Sequence, residues 1–201
     1  MNLLAKCGAA LIAAAALLAG CATGGAGPSG AGWVTLIDGD QGLANWNRTG
    51  QGNWSVYDGA IVIDGKLNKD AAFLYSKNSY RDFELYVEYW ANVEANSGVF
   101  LRITNTQTIN TKGGYEVQIF DKNPPFPTAS MVNLVKAPEN FSKFANQWNS
   151  FYISARGSRM TVDMNGERAV EVDNNVFPAG PIGLQYNSGT IKFRKLMIRP
   201  L

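Results

Sequence analysis

The chain has 201 residues, of which 46% are hydrophobic and 17% are charged, and its formal net charge is +2. This length allows one domain with a buried core, and the near balance of charge, without a basic block, argues against nucleic acid as a partner. The chain contains no histidine. That absence excludes a Ser-His or Cys-His nucleophile pair and removes the usual zinc ligand.

The first twenty residues (1–20) predict a bacterial lipoprotein signal peptide. Lys6 supplies a positive charge, residues 11–18 form an apolar run too short to span a bilayer, and small residues precede Cys21. In this pattern Cys21 becomes the first mature residue and carries the lipid; the alternative is an ordinary secretory signal with an incidental cysteine. Residues 21–32, rich in Gly, Ala and Ser, predict a flexible tether. We therefore expect an exported lipoprotein, sorted to the outer membrane because residue 22 is not aspartate, that faces the periplasm or the cell surface and touches the membrane only through its lipid.

Residues 33–201 predict an all-β domain, because short runs of β-branched and aromatic residues are separated by Gly, Asn and Asp. Asp58-Gly59 and Asn165-Gly166 predict hairpin turns, and Asn187-Ser188-Gly189 predicts a third turn. We predict a two-sheet antiparallel β-sandwich of jelly-roll type. The predicted strands are 33–37, 54–57, 60–63, 72–76, 82–91, 98–104, 115–120, 148–155, 159–165, 168–172, 182–186 and 191–198, and short helices are considered at 78–81 and 139–145.

A polar face is predicted on the three successive strands 82–91, 98–104 and 115–120. Alternation with a period of two sends Glu88, Arg102 and Glu116 to one face. If these strands form a meander, Glu88 lies near Arg102, and Arg102 lies opposite Glu116. The two glutamates would then be about 9.5 Å apart, which is too far for a retaining glycosidase pair and at the upper limit for an inverting one.

The same face can be interpreted in two ways. An exposed Glu-Arg-Glu ladder would be a solvated surface that stabilises the fold by only about 0–1 kcal/mol. The aromatic residues Tyr86, Trp90 and Phe100, predicted on this face beside Gln118, instead favour a carbohydrate-binding surface. The long loop 121–144, which carries four prolines, is either functional or a passive crossover.

Short segments at consistent spacing carry a resemblance to a known family. They are 33–39, 43–46, 54–59, 82–89, 96–102, 114–121, 137–138, 148–149, 165–166, 183–185 and 193–201. Over essentially all of residues 33–201 the chain resembles the 3-keto-disaccharide hydrolase domain family (domain of unknown function 1080). The resemblance implies a concanavalin-like jelly roll with a concave sugar-binding face, and action on 3-keto-glycosides such as oxidised di- or oligosaccharides. It also implies a cleft that contains Glu88, Arg102, Glu116, Gln118 and Asp121.

The chemistry of a 3-keto-glycoside indicates roles for these residues. A ketone at C3 acidifies the proton on C2, so a base can form an enolate that expels the group at C1, after which water adds at C1. Glu116 or Asp121 is the candidate base, and Arg102 is the candidate positive charge near the C3 oxygen. Oxygen ligands on the carboxylates and Gln118 would suit Ca²⁺ or Mg²⁺, although no spacing here is diagnostic of a metal site.

One position departs from the family pattern. Many relatives have a histidine shortly after Gly183-Leu-Gln185, where this chain has Asn187. An amide does not shuttle protons at neutral pH, so the alternative function is a non-catalytic carbohydrate-binding envelope lipoprotein on the same fold. Lys136, Trp148 and Tyr186 either border the cleft or serve packing and loop structure.

Overall fold

The computed structural model describes residues 27–122 and 125–201. The predicted signal peptide, Cys21 and the first part of the tether lie outside these residues. Within them the chain forms strands β1 (Val34–Asp38), β2 (Trp46–Thr49), β3 (Ser55–Tyr57), β4 (Ala60–Ile63), β5 (Ala72–Ser76), β6 (Phe83–Ala91), β7 (Asn96–Leu101), β8 (Tyr115–Phe120), β9 (Trp148–Arg156), β10 (Arg159–Met164), β11 (Glu167–Asp173), β12 (Gly183–Ser188) and β13 (Ile191–Pro200), with 3₁₀ turns at Leu43–Asn45 and Glu139–Ser142. No helix in this part of the chain has the length and apolar character needed to cross a bilayer.

The strands pair into two antiparallel sheets, which confirms the predicted all-β sandwich. Sheet A has the order β11-β10-β9-β6-β13-β4-β3, and β1 also pairs with β13. Sheet B has the order β2-β5-β12-β7-β8. The long neighbours β6, β9 and β13 form the centre of sheet A.

The core lies between the two sheets and is built from every second residue of the central strands. Leu85 and Val87 of β6 face inward from sheet A, and Val99 and Val117 face inward from sheet B; all four are fully buried. Removing this apolar surface from water is the main favourable term in folding. The alternate residues of the same strands point to the two outer faces, and those faces hold the polar and aromatic groups considered below.

The turns follow the sequence signals. Asp58-Gly59 joins β3 to β4 and Asn165-Gly166 joins β10 to β11, with positive φ at all four residues, as a type I′ hairpin requires. The turn at Gly189, in contrast, carries the chain from sheet B to sheet A and closes no hairpin. A Cβ at Gly189 would lie 2.4 Å from the Ala95 backbone, so only glycine fits there.

Some elements differ from the sequence prediction. Strand β2 was not predicted, because its four residues carry no clear alternation. Of the two segments considered as short helices, 78–81 forms no helix, and 139–145 contains a 3₁₀ turn over Glu139–Ser142. Strand β7 ends at Leu101 because Arg102 adopts a φ of 52°, which takes the chain out of the strand.

The predicted meander is wrong. Strand β6 lies in sheet A, whereas β7 and β8 lie in sheet B, so Glu88 is not opposite Arg102. Strands β7 and β8 do pair, but two residues away from the predicted register, so that Phe100 is opposite Glu116. Residue parity correctly separates inner from outer positions, but it contains no information about which strands are neighbours.

Candidate functional site

Two rows of side chains cross the outer face of sheet B. The register places Thr49, Phe73, Gln185, Gly98 and Gln118 in one row, and Asn47, Tyr75, Gly183, Phe100 and Glu116 in the next. The rows alternate with the core-facing residues of the same strands. Glu116 is the only acid in these two rows, and it lies at the β8 end.

Glu116 is a buried carboxyl group without a partner. Only 7% of the residue is exposed, and no hydrogen bond or ion pair reaches its side chain from the described residues. Burial raises the pKa of Glu116 from its ordinary value of 4.5 to about 7. A carboxyl group with this pKa is half ionised near neutral pH, which is the condition under which a general base works best.

The Glu116 side chain lies over Gly98, in space that any larger residue at position 98 would fill. A Cβ built on Gly98 would be 2.7 Å from Glu116 Oε1 and 3.0 Å from its Cγ. The carboxyl group therefore leans across β7, between the strands that carry Gln118 and Gln185. Sequence reasoning did not single out Gly98 or Gln185, since the significance of both depends on the pairing of β7 with β8 and β12.

The two glutamines on either side of Gly98 have unsatisfied polar atoms. The Oε1 atoms of Gln118 and Gln185 are both buried and accept no hydrogen bond from the residues that the structure describes. A buried amide oxygen without a partner is costly, and native proteins keep few of them. Two such amides in one row are expected where ligand hydroxyl groups complete the hydrogen bonding.

An apolar cluster borders the site. Phe73, Phe100, Ile103 and Ile109 pack together, and the two phenyl rings meet edge to face with centroids 5.5 Å apart. Phe100 is directly opposite Glu116. The cluster therefore supplies part of the low-polarity surroundings that raise the Glu116 pKa.

A lysine reaches the same sheet from outside it. Lys66 donates a hydrogen bond from Nζ to Asn187 Oδ1 at 2.9 Å, and a second one to the Lys69 carbonyl oxygen. Asn187 lies at a register shift of β12, two residues after Gln185. Asn187 thus holds an ammonium group on the strand next to β7. Lys66 was missed by sequence reasoning because it precedes β5 in a segment with no strand pattern.

Arg102 is not part of this face, contrary to the prediction. Its side chain is fully buried, and its guanidinium donates to the carbonyl oxygens of Arg81 and Gly157 at 2.8 and 2.9 Å. It also forms an ion pair with Asp82 at 3.2 Å. Arg102 therefore ties three chain segments together beyond the end of β7. The turn at the positive φ of Arg102 directs its side chain away from Glu116.

Glu88, Tyr86 and Trp90 lie on the outer face of sheet A, so the predicted single face with Phe100 and Glu116 is wrong. Glu88 forms an ion pair with Arg194 at 2.6 Å and accepts a hydrogen bond from Tyr86. Glu88 and Glu116 therefore lie on opposite outer faces of the sandwich. Glycosidase rules based on their separation do not apply to them.

The other predicted site residues lie apart from Glu116. Asp121 follows β8 and accepts hydrogen bonds from Thr128 Oγ1 and from the loop backbone. Burial raises the pKa of Asp121, and these hydrogen bonds offset only part of the rise. Lys136 is exposed on the same long loop, with Nζ 5.6 Å from the centre of the Phe126 ring. Tyr186 faces the core and donates to the Gly189 carbonyl oxygen. Of the two candidate bases, Glu116 is therefore the one with a free carboxyl group.

The donor set fits a hard cation poorly. Among the residues that the structure describes, no three acid, histidine or cysteine side chains come together in a way that could hold a metal ion. Glu116 is the only carboxylate in the two rows, whereas Ca²⁺ and Mg²⁺ sites in proteins usually combine several oxygen ligands with more than one carboxylate.

Known proteins share this fold. A candidate glycosyl hydrolase from Parabacteroides distasonis superposes with a TM-score of 0.68 at 24% identity, covering 84% of this chain and 99% of its own. A Bacillus subtilis protein of galectin-like fold gives a TM-score of 0.64 at 11% identity, covering 81% and 92%. The carbohydrate-binding module CBM66 from Bacillus subtilis gives 0.58 at 16% identity, covering 84% and 95%. These identities establish the fold alone.

A search among curated proteins found no significant match. The model of the 3-keto-alpha-glucoside-1,2-lyase-like domain family, in contrast, matches residues 32–199. This range includes both sheets and all thirteen strands of the described chain except the last residue of β13. The protein therefore belongs to the 3-keto-alpha-glucoside-1,2-lyase-like domain family.

Proposed function

We propose that the protein cleaves 3-keto-glycosides on the outer face of sheet B, with Glu116 as the base. The observation that carries this proposal is the buried Glu116 carboxyl group, which has a pKa of about 7 and no partner among the described residues. Membership in a family named for a 1,2-lyase of 3-keto-alpha-glucosides supports the substrate class.

The reaction requires one proton to leave C2. Ionised Glu116 takes that proton, and the electrons of the C2–H bond form an enolate with its negative charge on the C3 oxygen. The C3 carbonyl then re-forms, a double bond forms between C1 and C2, and the C1–oxygen bond breaks. The departing oxygen takes a proton from water. The hydroxide so formed adds at C1, and Glu116 returns its proton to C2. The sum is hydrolysis of the glycosidic bond with Glu116 regenerated.

The enolate intermediate carries negative charge on the C3 oxygen and needs a positive group nearby. Because Arg102 is buried elsewhere, we propose Lys66 for this role. Asn187 holds its Nζ on the strand that also carries Gln185. Gln118 and Gln185 are proposed to bind sugar hydroxyl groups, which would satisfy their unpaired oxygens.

A chromogenic assay tests the proposal. Purified full-length protein is incubated with a nitrophenyl 3-keto-glucoside, and release of the chromophore is followed. We expect release from the wild type and its loss in Glu116→Gln, while Glu167→Gln, an exposed residue on β11, keeps full activity. Saturable glycan binding without release from either anomer would favour the non-catalytic alternative and refute the enzyme.

We further propose that the protein is an exported lipoprotein anchored through Cys21. Gly27 packs against Met197 and Tyr86 on the outer face of sheet A, so the tether approaches the domain on the side opposite Glu116. The Cys21→Ser variant should move from the membrane fraction to the soluble fraction; equal membrane association would contradict the lipid anchor.

A further inference from the structure

A cavity lies on the outer face of sheet A, away from Glu116. Its volume is about 480 Å³, and its floor is formed by β6 and β13. The turn after β1 and the β3–β4 hairpin turn at Asp58-Gly59 form one wall, and Trp148 of β9 stands at the other end. Between β9 and β4 lie three strand spacings, about 14 Å, so the cavity runs across the strands as a groove.

Two neighbouring tryptophans line one end of this groove. Trp90 of β6 and Trp148 of β9 are directly opposed in the sheet, and both are only half-buried. Neither belongs to the core between the sheets. Half-exposed indole rings side by side offer apolar faces and edges that stack on the C–H surfaces of a sugar. Packing alone would not require two of them at one end of an open groove.

Cationic side chains hold these rings in place. The Arg194 guanidinium carbon lies 4.2 Å from the centre of the Trp148 ring, and Lys192 Nζ lies 5.2 Å from that of Trp90. Arg194 occupies a register shift of β13, between Phe193 and Lys195. Cation–π contacts of this kind fix the orientation of a ring.

The guanidinium of Arg194 is a prepared hydrogen-bond donor. Its Nε donates to Glu88 Oε2 at 2.6 Å, and Glu88 Oε1 accepts from the Tyr86 hydroxyl at 2.7 Å. Both carboxylate oxygens are therefore occupied within the protein. Among the described residues the terminal nitrogens of Arg194 make no hydrogen bond, and the residue lines the groove. These nitrogens are oriented before any ligand arrives, which lowers the entropic cost of binding.

The charges in the groove cancel. Each cation pairs with an acid, as Arg194–Glu88 at 2.6 Å, Lys195–Asp38 at 3.0 Å and Lys192–Asp58 at 4.0 Å. An anionic ligand would face three carboxylates, and a cationic ligand would face three cations. A neutral molecule rich in hydroxyl groups can hydrogen-bond to both members of each pair and stack on the indoles.

We propose that this groove is a second glycan-binding site, specific for neutral oligosaccharides and separate from Glu116. The two sites are on opposite outer faces of the sandwich. Sugar bound at sheet A would keep a long substrate or a glycan polymer at the protein while chemistry proceeds at sheet B. The proposal does not depend on catalysis, since it rests only on sheet A residues.

Isothermal titration calorimetry of the full-length chain with cellohexaose and maltohexaose tests this site. We expect saturable binding of at least one of them, and about a tenfold weaker affinity in both Trp148→Ala and Trp90→Ala. Trp33→Phe is the matched control, because Trp33 lies on the same face, packed on Tyr152 and Arg199, outside the groove. Arg194→Met, which keeps both indoles, should also weaken binding and separates ligand contact from misfolding, with melting temperatures measured for every variant.

Three results would overturn the proposal. One is an absence of saturable binding of either hexasaccharide; another is unchanged affinity in the folded Trp90, Trp148 and Arg194 variants. A third is tighter binding of an oligogalacturonate than of either neutral sugar, which would contradict the charge argument. Glu116→Gln should leave this affinity unchanged, so a failure of the release assay and a failure of this site are distinguishable.

Discussion

The environment of Glu116 predicts an unusual pH dependence of stability. Its pKa is raised from 4.5 to about 7 in the folded protein, so the folded state holds this proton more tightly than the unfolded state does. The free energy of unfolding therefore falls as pH rises from about 4.5 to about 7, and the loss is complete above that range. A shift of about 2.5 pKa units corresponds to roughly 3 kcal/mol.

Glu116→Gln removes the ionisation and keeps the shape of the side chain. We expect the variant to match the wild type near pH 4.5 and to be more stable by up to about 3 kcal/mol at pH 8, or roughly 6–12 °C in melting temperature for a domain of this size. The assay is thermal and urea unfolding of both proteins at half-unit steps of pH, with the exposed Glu167→Gln as control. The same difference between variant and wild type at pH 4.5 and pH 8 would refute the argument that burial raises this pKa.

Three further substitutions separate the roles of neighbouring residues. Gly98→Ala places a methyl group 2.7 Å from the present position of Glu116 Oε1, so the carboxyl group must move. The rate of chromophore release should fall, and the acid limb of its pH–rate profile, near pH 7, should shift to lower pH. Gly65→Ala, in open space, should change neither the rate nor the profile. Lys66→Met should lower the rate of release at unchanged melting temperature, with the exposed Lys69→Met as control; equal rates in both would exclude the ammonium group from the reaction. Arg102→Met leaves the carbonyl groups of Arg81 and Gly157 and the Asp82 carboxylate without their donor, and should destabilise the fold by about 3–5 kcal/mol in urea unfolding; a stable Arg102→Met protein that loses only activity would instead restore Arg102 to the site.

The sequence predicts much of the fold because its signals are local. Alternation in β6, β7 and β8 identifies which residues face the core, and Asp58-Gly59 and Asn165-Gly166 locate two hairpins through the positive φ that these pairs tolerate. Strand β2 carries no such alternation and was not predicted.

The site depends on information that is not local. Glu116 and Gln118 were identified by parity, which is the same for any even shift of register. The partners of Glu116 were not, because Gly98 and Gln185 become its neighbours only through the pairing of β7 with β8 and β12. Glu88 was expected beside Arg102 because consecutive strands were assumed to pair, whereas the chain changes sheet between β6 and β7. The burial of Arg102 depends on segments as distant as Gly157 and could not be read from its own strand.

Exchange of the C2 proton tests the central claim most directly. A 3-keto-glucoside is incubated with the protein in D₂O, and the C2–H signal is followed by proton NMR. Removal of this proton by Glu116 predicts loss of the signal at a rate that depends on a pKa of about 7, and exchange at the background rate in Glu116→Gln. Exchange that is equally fast in Glu116→Gln and in the wild type would contradict Glu116 as the base.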